Sequence, residues 1–198
     1  AAAPILKILR LPGFIVDFSG ETTGGKTTAL RLAASVWGKP TDDYPTTLYS
    51  WDVSIPWVES AAGFLHSLPL ILDDTKRARQ KKVISDVIYA FCQGQGRGRA
   101  TGDVPTWHSV LISSGEGAAP SYSNDAGTRA RVLNLSGKPL GGHPQEGAKL
   151  SEDIQYALSS NYGHLGRRVI EYLVSNRENH EQLRKLFELA REEYASIA

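Results

Sequence analysis

Residues 14–28 read Phe-Ile-Val-Asp-Phe-Ser-Gly-Glu-Thr-Thr-Gly-Gly-Lys-Thr-Thr. The apolar run Phe14–Phe18 leads into a loop, Gly20–Thr27, with the pattern G-x-x-x-x-G-K-[ST]. A helix-like run, Lys26–Trp37, follows. Strand, loop and helix in this order are the setting in which the pattern binds phosphate. Glycines let backbone N–H groups curl round a phosphate with no Cβ in the way. Lys26 can reach β- and γ-phosphates, and the Thr27 hydroxyl can ligate Mg²⁺. The expected nucleotide-binding residues are therefore Gly20, Glu21, Thr22, Thr23, Gly24, Gly25, Lys26, Thr27 and Thr28, with ATP and Mg²⁺ as ligands.

The bulk numbers narrow the rest. At 198 residues and 41% hydrophobic, the chain is sized for one large domain, or a domain with a small lid. The net charge of +1 gives no global nucleic-acid footprint, so any such footprint must be local. Cys92 is the single cysteine, so no internal disulfide is possible and a cytoplasmic setting is expected. No apolar stretch approaches the ~18 residues of a membrane span, and Ala1–Pro4 is not expected to be a signal peptide, lacking a charged n-region and cleavage pattern. Methionine is absent, even at position 1, which suggests a piece of a longer protein.

Short apolar runs alternate with longer amphipathic ones, the signature of a parallel sheet flanked by helices. The expected strands are Phe14–Ser19, Leu48–Trp51, Leu68–Leu72, Ser109–Ser113 and Arg131–Leu135. Helices are expected over Lys26–Trp37, Ile55–Leu65 and Lys76–Cys92. Gly94–Trp107 reads as a basic, Gly-rich hairpin or loop. Residues 1–136 form the expected α/β core, 137–150 a Gly- and Pro-rich linker, and 151–198 a helical lid. The lid helices are expected over Ser151–Ser159, Gly163–Ser175 and Glu178–Ala195.

Leu68–Asp74 is the second motif. Its apolar strand carries two carboxylates at the carboxyl end, where open α/β sheets bind ligands. Asp73 is expected to hold the Mg²⁺ shell, and Asp74 to orient and deprotonate the attacking water. The strand leading to Glu116 ends in polar residues, of which Ser113 or Ser114 could sense the γ-phosphate. Arg129 and Arg131 precede the last strand and could serve a neighbouring subunit's nucleotide as a finger. Lys76–Arg99 is rich in Lys and Arg. Arg97 and Arg99 on a flexible tip suit a phosphate backbone, with Trp107 or His108 as base-stacking candidates, although a Trp beside a strand is more often core. The histidines show no metal-ligand spacing.

Taken together, the phosphate loop, "SLPLILDDTK", "VIYAFCQGQGRGRATGDVPTWHSVLISSGE", "RARVLNL" and "NYGHLGRRVIEYLV" resemble domain-of-unknown-function family 927. That family occurs in phage, plasmid and integrative-element proteins, including MCM-like AAA+ helicases of cassette chromosomes. The resemblance runs over roughly Phe14–Val174. It implies a P-loop NTPase of AAA+ type with a C-terminal lid, forming a hexameric ring that acts as a DNA helicase in replication. It places Asp73 and Asp74 as the metal and base pair, usually Asp-Glu in the family. It places the 97–107 stretch as a DNA-gripping hairpin, Arg131 as the finger, and Arg167 or Arg168 as a second phosphate sensor. Two other readings share the loop: an NTPase switch acting on a protein partner, which needs no basic hairpin, and a small-molecule P-loop kinase.

Overall fold

The computed structural model describes residues 2–22, 24–41, 43–98, 102–122 and 126–197. Thr23 and Arg99, two of the expected ligand-binding residues, lie outside them. The chain builds a five-stranded, all-parallel sheet in the order β2-β3-β4-β1-β5. The strands are β1 Phe14–Ser19, β2 Tyr49–Ser50, β3 Leu70–Asp73, β4 Val110–Gly115 and β5 Val132–Ser136. Each parallel step needs a crossover, which helices supply. These are α2 Lys26–Ser35, α3 Ile55–Leu65, α4 Lys81–Cys92 and the short α5 Ala126–Arg129.

Both faces of the sheet are covered. Ile15, Leu70, Leu72 and Leu111 point to one face, where Val58, Ala62, Ile84, Val87, Ile88 and Phe91 of α3 and α4 bury them. Ile71 points to the other, against Leu30 and Ala34 of α2. The helices form where apolar spacing permits: α4 repeats Ile84, Val87, Ile88, Phe91 at intervals of three and four. Ser54 caps α3, its hydroxyl accepting from the Trp57 N–H at 3.4 Å, and Pro56 falls in the first turn, where its missing N–H costs nothing.

Three elements depart from the sequence expectation. Helix α4 begins at Lys81 rather than Lys76, with Thr75–Arg77 a separate 3-10 turn. A further helix, α1 Ala3–Leu9, packs Ala3 and Leu6 beside Val110. It has no side-chain cap, and only Pro4 in its first turn marks its start. The first lid helix, α6, runs Pro144–Leu158, beginning at Pro144 rather than Ser151. Proline at the first helical position is pre-set for that start.

Helices α7 His164–Ser175 and α8 His180–Ala195 complete the C-terminal layer. This layer is bonded to the core. The Thr28 and Ser151 hydroxyls lie 2.7 Å apart, and Arg31 donates to Gln155 at 3.2 Å. The Gly163 and Gly166 N–H groups donate to the Ser35 and Val36 carbonyls at 2.7 and 2.8 Å. Gly166 permits the approach, since a Cβ there would lie 2.4 Å from the Val36 oxygen. No helix among the described residues is long and apolar enough to cross a membrane.

Candidate functional site

Strand direction decides where the chemistry gathers. β1, β3 and β4 are parallel neighbours whose carboxyl ends align: Ser19 pairs with Gly115, and Leu72 with Ser113. The Gly20–Thr27 loop leaves one end, Asp73-Asp74 a second, and Ser114-Gly-Glu116 the third. Between them and α6 opens a cleft of about 850 Å³. Its walls include Gly24, Gly25, Lys26, Thr27, Thr28, Asp73, Asp74 and Ser114 from the core, and Ser151 and Gln155 from α6.

Asp73 is the hub. The Thr27 hydroxyl donates to its Oδ2 at 2.9 Å, and the Ser114 hydroxyl donates to its Oδ1. Ser114 also accepts from the Asp74 N–H at 3.1 Å. Strand alternation separates the two serines that the sequence left open. Ser113 faces the opposite side of the sheet, fully buried, and its Oγ accepts from the Trp51 indole N–H at 3.1 Å. Ser114 alone reaches the cleft.

Asp74 is held in the left-handed region (φ 63°), and its Oδ1 accepts from the Lys76 N–H at 3.1 Å. It thus caps a 3-10 turn, Thr75–Arg77, while lining the cleft.

The loop itself is shaped by glycine. Gly25 has φ 83°, and a Cβ on it would lie 2.6 Å from Leu140 Cγ. Lys26 folds back along the loop, its Nζ donating to the Gly20 and Glu21 carbonyls at 2.8 and 2.6 Å. At the mouth, Glu116 accepts from the Thr22 hydroxyl and lies 2.5 Å from Lys76 Nζ. The Lys76 ammonium, then Thr22, holds the Glu116 carboxyl below its ordinary value. Neither Lys76 nor Glu116 was assigned to this cleft by sequence, where Lys76 reads as one of a run of basic residues.

These donors fit a magnesium-bound triphosphate. Thr27 and Asp73 bring two hard oxygens within one hydrogen bond, as Mg²⁺ prefers, leaving its other positions for water and phosphate oxygens. The loop has no Cβ where the backbone must approach, and the cleft brings Lys26 and Lys76 beside it.

The remaining sequence candidates lie apart from the cleft. Arg131 donates to the Gly127 carbonyl at 2.9 Å and stacks over Tyr89 at 5.6 Å. Arg129 ends α5 exposed. Both precede β5, whose amino end is opposite the cleft, ~16 Å away along five residues of strand. Arg167 is paired with Glu171 at 2.7 Å on α7.

Residues 94–96 and 105–107, on either side of the expected basic tip, run antiparallel. Gly96 N–H donates to Pro105 O and Trp107 N–H to Gly94 O, each at 2.8 Å, around an antiparallel bridge of Gln95 with Thr106. Arg97 is exposed. Trp107 is a correction. It is 1% exposed, packs 6.0 Å from Phe91, and donates its indole N–H to the Phe91 carbonyl at 2.7 Å. It has no free face for a base. Cys92 is buried, which pushes its thiol up to about 11, so it is no nucleophile.

Sequence reasoning also passed over Asp17. It is fully buried on β1, accepting from the Ala119 N–H at 2.7 Å through one oxygen, while the other lacks a partner in bonding geometry. Burial pushes its carboxyl above the ordinary value, against the Ala119 N–H and the neighbouring Ser113 hydroxyl.

Comparison with known proteins follows the same lines. The profile of a family described as a domain of unknown function, DUF927, matches residues 1–105, just over half of the chain. No curated protein sequence matches it. The solved structure of SCCmec type IV Cch, an active helicase, superposes with a TM-score of 0.71 at 23% identity. That alignment covers 90% of this chain but 33% of the other, so this chain spans about a third of that protein's length. At this identity the likeness is one of fold.

Proposed function

The chain belongs to the DUF927 family, and we propose that it is the AAA+ ATPase core of a helicase-like motor from a phage or other mobile genetic element. One observation carries the reading. Thr27 and Ser114 converge on the two oxygens of Asp73, at the aligned ends of three parallel strands, beside a glycine loop bearing Lys26. Nothing in a plain turn requires a hydroxyl from β4 and another from the start of α2 to reach one carboxylate. The strand order supports the same reading, since β4 lies between β1 and β3 and so presents Ser114 to both halves of the site.

Residue roles follow from placement. The Gly20–Thr27 loop binds the phosphates, and Lys26 exchanges its loop carbonyls for them. Thr27 and Asp73 would hold Mg²⁺, which draws charge from the phosphate oxygens during transfer. Asp74 accepts the proton of the attacking water, and Ser114 fixes Asp73 and the Asp74 backbone together. Arg129, exposed on α5 and remote from its own cleft, serves a neighbouring subunit's nucleotide, so active sites are shared around a ring. Arg131, engaged with Tyr89 and Gly127, positions that segment. Single-stranded DNA is gripped at the 94–107 stretch, with Arg97 on the backbone phosphates.

The test is ATP hydrolysis with and without a single-stranded oligonucleotide, for the unaltered chain and for Lys26→Ala. Hydrolysis stimulated by the oligonucleotide and abolished in the variant supports the proposal. Hydrolysis that survives Lys26→Ala overturns it. Stimulation unchanged in Arg97→Ala would move the proposal toward a switch acting on a protein.

A further inference from the structure

The mouth of the cleft holds an arrangement that resembles a bound anion. The Glu116 carboxylate sits where three elements meet: the Gly20–Thr27 loop through Thr22, the 3-10 turn after β3 through Lys76, and its own position just past β4. Its surroundings are a hydroxyl donor, an ammonium at 2.5 Å, and the positive charge of Lys26 close enough to be felt. A phosphate at the outer end of a bound nucleotide needs the same kinds of donor. All four residues line the one cleft.

We infer that Glu116 competes with a nucleotide's terminal phosphate for Lys76 and Thr22, and that Lys76, once released from it, is a γ-phosphate ligand that lets the site tell a triphosphate from a diphosphate. This rests on the proposal that the cleft binds ATP.

The relative strengths favour the exchange. The side chains of Lys76 and Glu116 are 60% and 37% exposed, and an ion pair open to water is weak. A terminal phosphate carries up to twice the charge of a carboxylate and three acceptor oxygens, so it outcompetes Glu116 for the same ammonium. A diphosphate ends short of Lys76 and leaves the pair closed. The exchange is local to the chain's own β4, because Glu116 is joined through Gly115 to Ser114, which bonds Asp73 and Asp74. Occupancy of the outer phosphate position is thereby reported to the carboxylates.

Two variants separate the contributions. Lys76→Ala removes the ammonium. Glu116→Gln keeps an oxygen to accept from Thr22 but no longer attracts Lys76. Dissociation constants for ATP and ADP in Mg²⁺ would be measured by displacing a fluorescent ADP analogue. The expected result is that Lys76→Ala weakens ATP about tenfold while ADP changes by less than about twofold. Glu116→Gln should tighten ATP severalfold and leave ADP alone. Equal shifts for ATP and ADP in either variant, or no shift in both, would overturn the inference. If the unaltered chain binds neither nucleotide, the ATP-site reading itself fails, a result distinct from an unaltered ATP-to-ADP ratio in the variants.

Discussion

At the scale of single residues, the two adjacent serines of β4 behave as opposites. Ser114→Ala breaks the link between Asp73 and Asp74 and should lower kcat roughly 10- to 100-fold, with the melting temperature little changed. Ser113→Ala should leave hydrolysis near normal but cost about 1–3 kcal/mol of stability, because the buried Trp51 N–H loses its acceptor. Steady-state kinetics and denaturant unfolding of both variants check the pair, and loss of activity in Ser113→Ala alone would reverse the assignment. Asp17 adds a pH-dependent prediction. Its folded-state carboxyl is raised, so native stability is favoured at low pH and eroded as pH rises through that value. Asp17→Asn should therefore stabilise the chain at pH 7. The gain over the unaltered chain should vanish below about pH 4, the ordinary Asp value. Unfolding curves at the two pH values give the difference, and a gain independent of pH would contradict the charge argument. The sequence marked Lys26, Thr27 and Asp73 because their chemistry is written in a short motif. It could not choose between Ser113 and Ser114, since that depends on strand phase. It passed over Lys76, Glu116 and Asp17, whose roles exist only across elements distant in the chain.

Among the elements, the central strands and their helices were legible because each apolar run had its own period and boundary residues. Helix α1 was not, being seven residues long and without a side-chain cap. The start of α6 was hidden by Gly141, Gly142 and Gly147, which read as linker although Pro144 opens a helix between them. Trp107 shows how local context misleads. Its neighbours Arg97 and Arg99 suggested a nucleic-acid surface, whereas the returning segment 105–107 carries it into the core beside Phe91. Trp107→Ala should thus destabilise the fold by about 3–5 kcal/mol, the cost of emptying a core aromatic site. Arg97→Ala should leave stability alone and reduce the salt dependence of single-strand binding by about one unit of log-log slope. The docking of α7 on α2 gives a third element-scale outcome. Gly166→Ala forces a Cβ against the Val36 carbonyl and the Trp37 ring, at 2.4 and 2.6 Å. It should cost about 1–3 kcal/mol and, if the strain is passed along the short 159–163 connection to α6, which walls the cleft, weaken nucleotide binding. A calorimetric melt and a nucleotide titration of that variant read both effects, and unaltered ATP affinity would show that α6 closes independently.

For the whole molecule, the sheet puts the cleft and Arg129 at opposite ends of β5, so in the proposed ring Arg129 would face a neighbouring subunit's cleft and not its own. Mixing Arg129→Ala subunits with Lys26→Ala subunits should restore part of the ATPase activity that neither has alone, since some interfaces then pair an intact loop with an intact arginine. No recovery at any ratio would confine the active site to a single chain. Beneath ring, finger and hairpin lies one claim: a magnesium-bound triphosphate is held between the Gly20–Thr27 loop and Asp73. Calorimetric titration of ATP, with Mg²⁺ and with a chelator, measures it directly. The account predicts saturable binding that Mg²⁺ tightens, with that tightening lost in Asp73→Ala. ATP binding indifferent to Mg²⁺ and unchanged by Lys26→Ala, or no binding at all, would contradict it.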